Sequence, residues 1–163
     1  MPTVYSPPVS TYVALATETL SGTDTSITFS SIPATYRDIV VVAKTFSASA
    51  TGVGVRFNGD TGSNYSMVYA SGDGSTATSS AYTSDRAEPY ISGATDHLIL
   101  MQIMDYSATD KHKTILARSS GGGASVFAHA NRWANTAAVT SLEVLSFGGQ
   151  SFTGTISLYG IEA

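Results

Sequence analysis

The chain alternates apolar and polar residues over many short stretches, and this pattern constrains its fold more than any other feature. In residues 26–30, for example, Ile27 and Phe29 alternate with hydroxyl residues. Successive side chains of a β-strand point to opposite faces, so such stretches predict strands with one buried face. Turn clusters rich in Gly, Ser, Asn and Asp separate them at intervals of about 8–12 residues, a spacing typical of all-β sandwiches and barrels.

We therefore predict an all-β fold, a jelly-roll-like antiparallel β-sandwich of about 8–10 strands with an extended N-terminal arm. Residues 38–46 contain the continuously apolar run of residues 39–43, which indicates a central strand covered on both faces. Residues 97–104 are also apolar, and a helix is the rival there because Leu and Met favour helices. The run is short and flanked by turn residues, so we prefer a strand. A parallel β-helix would show a tighter internal repeat than this sequence has.

Two turn-rich stretches set the expected connections. Asn58-Gly59 is the strongest short-range hairpin signal, so we predict a hairpin between strands at residues 53–57 and 65–69. Residues 71–84 carry little charge and no clear apolar alternation. We predict a long loop there that holds at most one weak strand.

Residues 1–10 differ from the rest of the chain because prolines interrupt them. Proline lacks an N–H and fixes φ, so we predict an extended arm outside the sheets. Residues 11–163 have the length of one domain and are predicted to form a single β-sandwich. An arm is by default a frayed terminus, and the alternative is a strap onto a neighbouring subunit. The candidate contact residues of the arm are Pro2, Val4, Tyr5, Pro7, Pro8 and Val9.

Charge is scarce, with 12% charged residues and a net charge of −4. Proteins that bind nucleic acid or anionic membranes usually carry a basic stripe, so we expect neither partner. The longest basic cluster is Lys111-His112-Lys113, which we interpret as the solvated start of a strand. The absence of cysteine excludes disulfides and thiolate metal ligands. No signal peptide or membrane helix is visible, so we expect a soluble protein made in a cytoplasm.

Asp60-Thr61-Gly62-Ser63 matches the local motif of aspartic proteases. That chemistry needs two carboxylates that share a proton, and the chain has one such motif. The motif directly follows Asn58-Gly59, and no apolar sequence encloses it. We favour a turn in which the Asp and Asn side chains cap the backbone.

No other set of residues has the spacing of a catalytic or metal site. His97, His112 and His129 are scattered, whereas zinc sites need clustered ligands. His129 could join a hydrolase triad, but the G-x-S-x-G nucleophile elbow is missing. The carboxylates are too dispersed to nominate a glycosidase pair, and no phosphate-binding glycine motif is present. We therefore predict no enzymatic activity, no cofactor and no metal.

Three stretches of the chain together carry a resemblance to a known group of proteins, in which they occur in the same order. Residues 55–66 (VRFNGDTGSNYS) carry the pattern R-F-N-G-D-x-G-x-N-Y, residues 133–142 carry N-T-x-A-[IV]-T-S-[IL], and residues 157–161 form a closing strand. Together they resemble a group of small virion proteins of tailed phages, including cyanophages, over most of residues 11–163. These motifs are turn and core signatures, so no catalytic residue is carried over.

The resemblance implies a head decoration protein, also called a cement protein. Such proteins bind the outer capsid surface as oligomers, commonly homotrimers, and stabilise the shell. The implied partners are the major capsid protein and further copies of this chain, and the implied location is the capsid exterior after synthesis in the host cytoplasm. The arm of residues 1–10 would then be the strap onto the shell or a neighbour.

Two alternatives stay open. The first is a tail-fibre or tail-tip module that recognises a host surface glycan through tyrosine and tryptophan, with Tyr65, Tyr69 and Trp133 as the first candidates. The second is an enzyme such as a depolymerase or a protease, for which the sequence shows no supporting set of residues.

Overall fold

A computed structural model describes residues 11–46, 52–89, 96–121 and 125–162. The predicted arm of residues 1–10 lies outside these residues. The described residues form eleven strands and one short 3₁₀ helix at Phe147–Gly149. The strands are β1 (Tyr12–Ser21), β2 (Ser26–Phe29), β3 (Asp38–Phe46), β4 (Val53–Phe57), β5 (Tyr65–Gly72), β6 (Ala77–Ser84), β7 (His97–Met104), β8 (Lys113–Gly121), β9 (Val126–Trp133), β10 (Leu142–Ser146) and β11 (Thr153–Ile161).

The strands form two antiparallel sheets of unequal size. The larger sheet has the order β1-β11-β3-β7-β8-β9-β5-β6, and the smaller sheet has the order β2-β10-β4. The predicted all-β sandwich is confirmed, with eleven described strands instead of eight to ten, and its connections are compatible with a jelly roll. β3 lies inside the larger sheet, where Val40 and Val41 point to opposite faces and are both buried. β3 is therefore an interior strand, as predicted, but its second face is covered only in part, because Val42 is partly buried and Lys44 is exposed.

The core lies between the two sheets and is richest in aromatic rings near the ends of β4, β5 and β9. Phe57, Tyr65 and Trp133 are almost fully buried there. The rings of Phe57 and Trp133 lie 5.4 Å apart between centroids, and those of Tyr65 and Trp133 stack at 6.3 Å. Large aromatic side chains bury the most apolar area per residue, so this cluster is a principal source of stability.

The Asn58-Gly59 turn joins two different sheets, so the predicted hairpin is wrong. Both residues have the positive φ that a tight hairpin turn requires, 52° and 69°. However, β4 pairs with β10 in the smaller sheet, whereas β5 pairs with β6 and β9 in the larger sheet. The segment of residues 58–64 is long enough to turn a corner between the sheets, and its polar side chains bind other parts of the chain.

Asn58 fastens this corner to the segment of residues 138–141. Its Oδ1 accepts hydrogen bonds from the backbone N–H groups of Thr140 at 2.9 Å and Ser141 at 3.1 Å. Its Nδ2 donates to the carbonyl of Ala138 at 2.8 Å, and its backbone N–H donates to the carbonyl of Ser141 at 3.0 Å. Two of the three stretches that carry the family resemblance are therefore structural partners of each other.

β6 is a complete strand where the sequence predicts a loop. It pairs with β5 from Tyr65 opposite Ser84 to Gly72 opposite Ala77. At the hairpin turn, the Asp73 carboxylate accepts hydrogen bonds from the backbone N–H groups of Ser75 and Thr76 at 2.8 and 2.6 Å. The prediction failed because β6 consists mainly of Ala, Ser and Thr, so backbone pairing holds it and no apolar alternation marks it.

Lys113 is buried, which corrects its interpretation as part of a solvated basic cluster. Its Nζ donates hydrogen bonds to the carbonyls of Ala108 at 2.7 Å, Lys111 at 2.9 Å and Thr136 at 3.2 Å. Removal from water lowers the pKa of Lys113 from its ordinary value. Three carbonyls compensate part of this cost, so Lys113 ties the turn before β8 to the segment after β9.

Substitution of Gly160 by alanine should destabilise the fold. Gly160 lies beneath the ring of Tyr36, and an added Cβ would overlap that ring. We expect the free energy of unfolding to fall by about 1–3 kcal/mol, as is common for overpacked cores. Urea unfolding would measure it. Gly72→Ala is the matched control, because the nearest atom to its added Cβ is the Thr76 carbonyl oxygen at 3.8 Å. An equal loss in both variants would contradict the packing argument.

Candidate docking surface

The outer face of the larger sheet is the face that points away from the smaller sheet. Strand alternation and register define its central part on β7, β8, β9 and β5, which lie side by side. The outward residues there are Leu98, Leu100, Gln102, Met104, Thr114, Leu116, Arg118, Ser120, Val126, Ala128, Ala130, Arg132, Ser66, Val68 and Ala70. Below, "outer face" means these residues together with their neighbours on β3 and β6.

Large apolar side chains of the outer face are open to solvent. Leu98, Leu100, Leu116, Val126 and Val68 are between 45% and 62% exposed. No described segment covers them. Scattered exposed leucines are ordinary, whereas exposed apolar side chains grouped on adjacent strands are typical of interaction surfaces.

Two shallow recesses indent the outer face. The first has a volume of about 510 Å³ and is lined by Leu98, Leu100, Val126 and Arg118, among others. The second has a volume of about 670 Å³ and lies next to Val68 and the outward residues of β9. Because the two recesses lie on neighbouring strands, the outer face is uneven, and side chains of a partner can insert into the recesses.

The exposed charges of the outer face are all positive. The strands of the larger sheet carry three outward cations, Lys44, Arg118 and Arg132, and only two carboxylates, Glu18 and Asp38. Glu18 lies opposite Ile156, whose side chain is part of the core, so it points away from the outer face. The outer face is therefore positive in a chain whose net charge is −4.

Asp38 does not offset these cations, because it is buried and bound locally. Its carboxylate accepts hydrogen bonds from Gln102 Nε2 at 2.8 Å and from the backbone N–H of Asp105 at 3.0 Å. Arg37 lies 3.2 Å from the same carboxylate. None of the three outward cations forms an ion pair with another described residue. They remain available to an anionic partner.

The protease-like motif is a structural turn. Asp60 Oδ2 accepts a hydrogen bond from Trp133 Nε1 at 2.7 Å, and Oδ1 accepts one from the Gly62 N–H at 2.9 Å. Asn64 Nδ2 donates to both oxygens, at 3.1 and 3.0 Å. The hydrogen bond from Trp133 is the largest influence that holds the pKa of Asp60 below its ordinary value of 3.8. The backbone-capping interpretation of this motif agrees with these contacts.

The three histidines do not come together at an exposed site. His97 and His129 are buried on the inner face of the larger sheet, and His112 is exposed in the turn before β8. In the described part of the chain, no group of three or more His, Asp or Glu side chains could hold a metal ion.

Two of the three aromatic residues considered for glycan recognition are inaccessible. Tyr65 and Trp133 are each 1% exposed and belong to the core, and Tyr69 is partly buried on the inner side of β5. Inspection of the sequence missed this because β5 and β9 were not assigned an inward and an outward side. The arm candidates Pro2, Val4, Tyr5, Pro7, Pro8 and Val9 lie outside the described residues.

The sequence analysis also missed the outer face. The available signal was β7, where Leu98 and Leu100 alternate with the buried Ile99 and Met101. A strand that is apolar on both sides needs a cover on both sides. The sequence shows no helix pattern that could supply the second cover, and this excess of apolar surface is the signal of an uncovered sheet face.

No protein-family model matches the sequence, and no curated protein matches it. Among solved structures, the fold is similar to galectin LEC-6 of Caenorhabditis elegans, with a TM-score of 0.43, 10% identity and coverage of 87% of this chain and 94% of the galectin. It is also similar to alginate lyase Aly36B in complex with an alginate tetrasaccharide, with a TM-score of 0.39, 13% identity and coverage of 78% of this chain and 70% of the lyase. At these TM-scores neither similarity bears on function. No helix in the described residues is long and apolar enough to cross a membrane.

Asp60→Asn should destabilise the fold in a pH-dependent way. A carboxylate whose pKa is lowered by folding stabilises the protein above its unfolded pKa of about 3.9, and this contribution is lost as the pH falls through the folded value. We expect the variant to lose about 1–2 kcal/mol near neutral pH and to converge with the natural chain in acid. Chemical denaturation at several pH values would measure this. Asp110→Asn, at an exposed carboxylate, is the control, and a loss independent of pH would contradict the role of the Asp60 charge.

Proposed function

We propose that the chain is a non-enzymatic structural protein of a phage particle, a head decoration protein that docks on the capsid through its outer face. Its partners are the major capsid protein and other copies of the chain, and its location is the exterior of the head. The phage assignment comes from the sequence resemblance. The observation that carries the docking function is the group of exposed apolar side chains on four adjacent strands.

The chemistry of the outer face suits a protein surface as the partner. Leu98, Leu100 and Leu116 supply apolar contact area without directional bonds. Arg118 supplies a positive charge among them, opposite Leu100, and Arg132 supplies one opposite Thr114 near the end of β9. Protein interfaces commonly combine an apolar centre with polar residues at the rim, and arginine is enriched in them. The expected counterpart on the capsid is an apolar patch with nearby carboxylates.

A host surface glycan is the second candidate partner, in the tail-fibre or tail-tip setting. The observation that favours it is the set of outward cations without outward carboxylates, since this arrangement would suit an acidic sugar. The outer face described above presents leucine, valine and alanine where a sugar-binding surface usually presents rings. For this reason we place the capsid surface first.

Cryo-electron microscopy of the purified phage particle tests the proposed function. We expect density for this chain at regular lattice positions on the head, with the outer face toward the shell. Density confined to the tail would replace the capsid by a host receptor as the partner. A particle that lacks the chain would reject both assignments.

Charge reversal and polar substitution on the outer face should abolish particle binding. For Leu100→Asp with Arg118→Glu we expect occupancy on particles stripped of the protein to fall about tenfold or more, because both residues line the first recess. Both positions are exposed, so the unfolding midpoint should change little. Lys111→Glu is the matched control, since Lys111 is an exposed cation in the turn before β8. Equal binding by the double variant and the control would contradict docking through this face.

A further inference from the structure

β6 is an edge strand whose second side has no partner strand in the described residues. It pairs with β5 along its whole length without a shift in register. Its residues are exposed or only partly buried. Such an edge presents a row of N–H and C=O groups that can pair with a strand of another chain.

The other described sheet edges carry features that block such pairing. β1 has a bulge at Ala14–Ala16 and a charged residue at Glu18. β2 is only four residues long. β4 is covered where Val55 exchanges two backbone hydrogen bonds with Ala87, at 2.8 and 2.9 Å. Short strands, bulges, charges and covering segments are the usual protections of sheet edges, and β6 contains no charge, proline or bulge.

We propose that β6 pairs antiparallel with β6 of a second copy, around a two-fold axis normal to the sheet. The two larger sheets then form one continuous sheet. An axis in this direction keeps the outward residues Ser79, Ala81 and Thr83 of both copies on the same side. The outer faces of the two copies therefore lie side by side and point the same way.

The composition of β6 suits pairing with itself. A strand that pairs with its own copy places like residues opposite or close to each other, and like charges in such pairs are destabilising. β6 has no charged residue, and its small side chains avoid crowding at the axis. Hydroxyl groups both donate and accept, so Thr78, Ser79 and Ser80 can hydrogen-bond to the hydroxyl groups that they meet across an axis at Ser79. In two-fold pairing both copies use the same edge, so no β6 edge remains for a third copy and the assembly is a dimer.

The mass in solution gives the first test, and it does not depend on where the protein acts. Sedimentation equilibrium should give twice the 16.9 kDa of one chain. Ser79→Lys with Ala81→Lys should give a monomer, because four ammonium groups would then meet at the axis. Thr17→Lys with Thr19→Lys, at exposed positions on the opposite edge strand β1, should stay dimeric. A monomeric or trimeric natural chain, or dissociation by the β1 pair alone, would overturn the proposal.

Disulfide cross-linking gives the second test, and it reports geometry. The chain has no cysteine, so a single introduced cysteine can only cross-link to another copy. Directly opposed residues of antiparallel strands have Cα atoms about 4.5–5.5 Å apart, within the range of a disulfide. Across Ser79→Cys, Ser80→Cys and Ala81→Cys, oxidation should cross-link the position on the axis most efficiently. Thr17→Cys should not cross-link, and efficient cross-linking there or equal efficiency at all positions would contradict the pairing.

Discussion

The corner at residues 58–64 holds the two sheets in their relative positions, and the rest of the fold depends on it. Asn58 binds the segment that leads into β10 of the smaller sheet, and Asp60 binds Trp133 at the end of β9 in the larger sheet. Beneath them, the Tyr65 hydroxyl accepts a hydrogen bond from the Phe57 N–H at 2.9 Å. Burial raises the pKa of Tyr65, so this hydroxyl keeps its proton and can donate to the Asp60 carbonyl at 3.5 Å.

These contacts give the protease-like motif of residues 60–63 a structural role. The Asp60 carboxylate accepts hydrogen bonds from an indole, an amide side chain and a backbone N–H. These bonds stabilise its charged form, and for this reason its pKa is lowered. A catalytic acid in an aspartic protease needs a second carboxylate beside it, and Asp60 has Asn64 and Trp133 as neighbours instead. The motif therefore specifies a corner of a sandwich.

Whether the sequence predicted an element depended on the kind of contact that forms the element. β3 (Asp38–Phe46) and β7 (His97–Met104) were predicted with the observed bounds, because apolar side chains mark them directly. For β6 the sequence predicted only a loop with at most one weak strand, because backbone pairing defines this strand and no apolar alternation marks it. The hairpin at Asn58-Gly59 was predicted wrongly although its backbone conformation is the expected one, since the pairing of the flanking strands depends on distant contacts of Asn58. Lys113 was misjudged because its carbonyl partners come from two separate loops.

The unequal size of the sheets links the fold to the proposed binding. Three strands cannot cover both faces of eight, so the apolar residues on the far side of the larger sheet have no cover among the described residues. An open sheet face of this kind makes modest contacts in a single copy. Pairing through β6 would hold two outer faces rigidly side by side, so that the second face binds at a high effective concentration once the first has docked. The strand order also places β1 at the edge opposite β6, so residue 11 of each copy would lie at a far margin of the joined sheet.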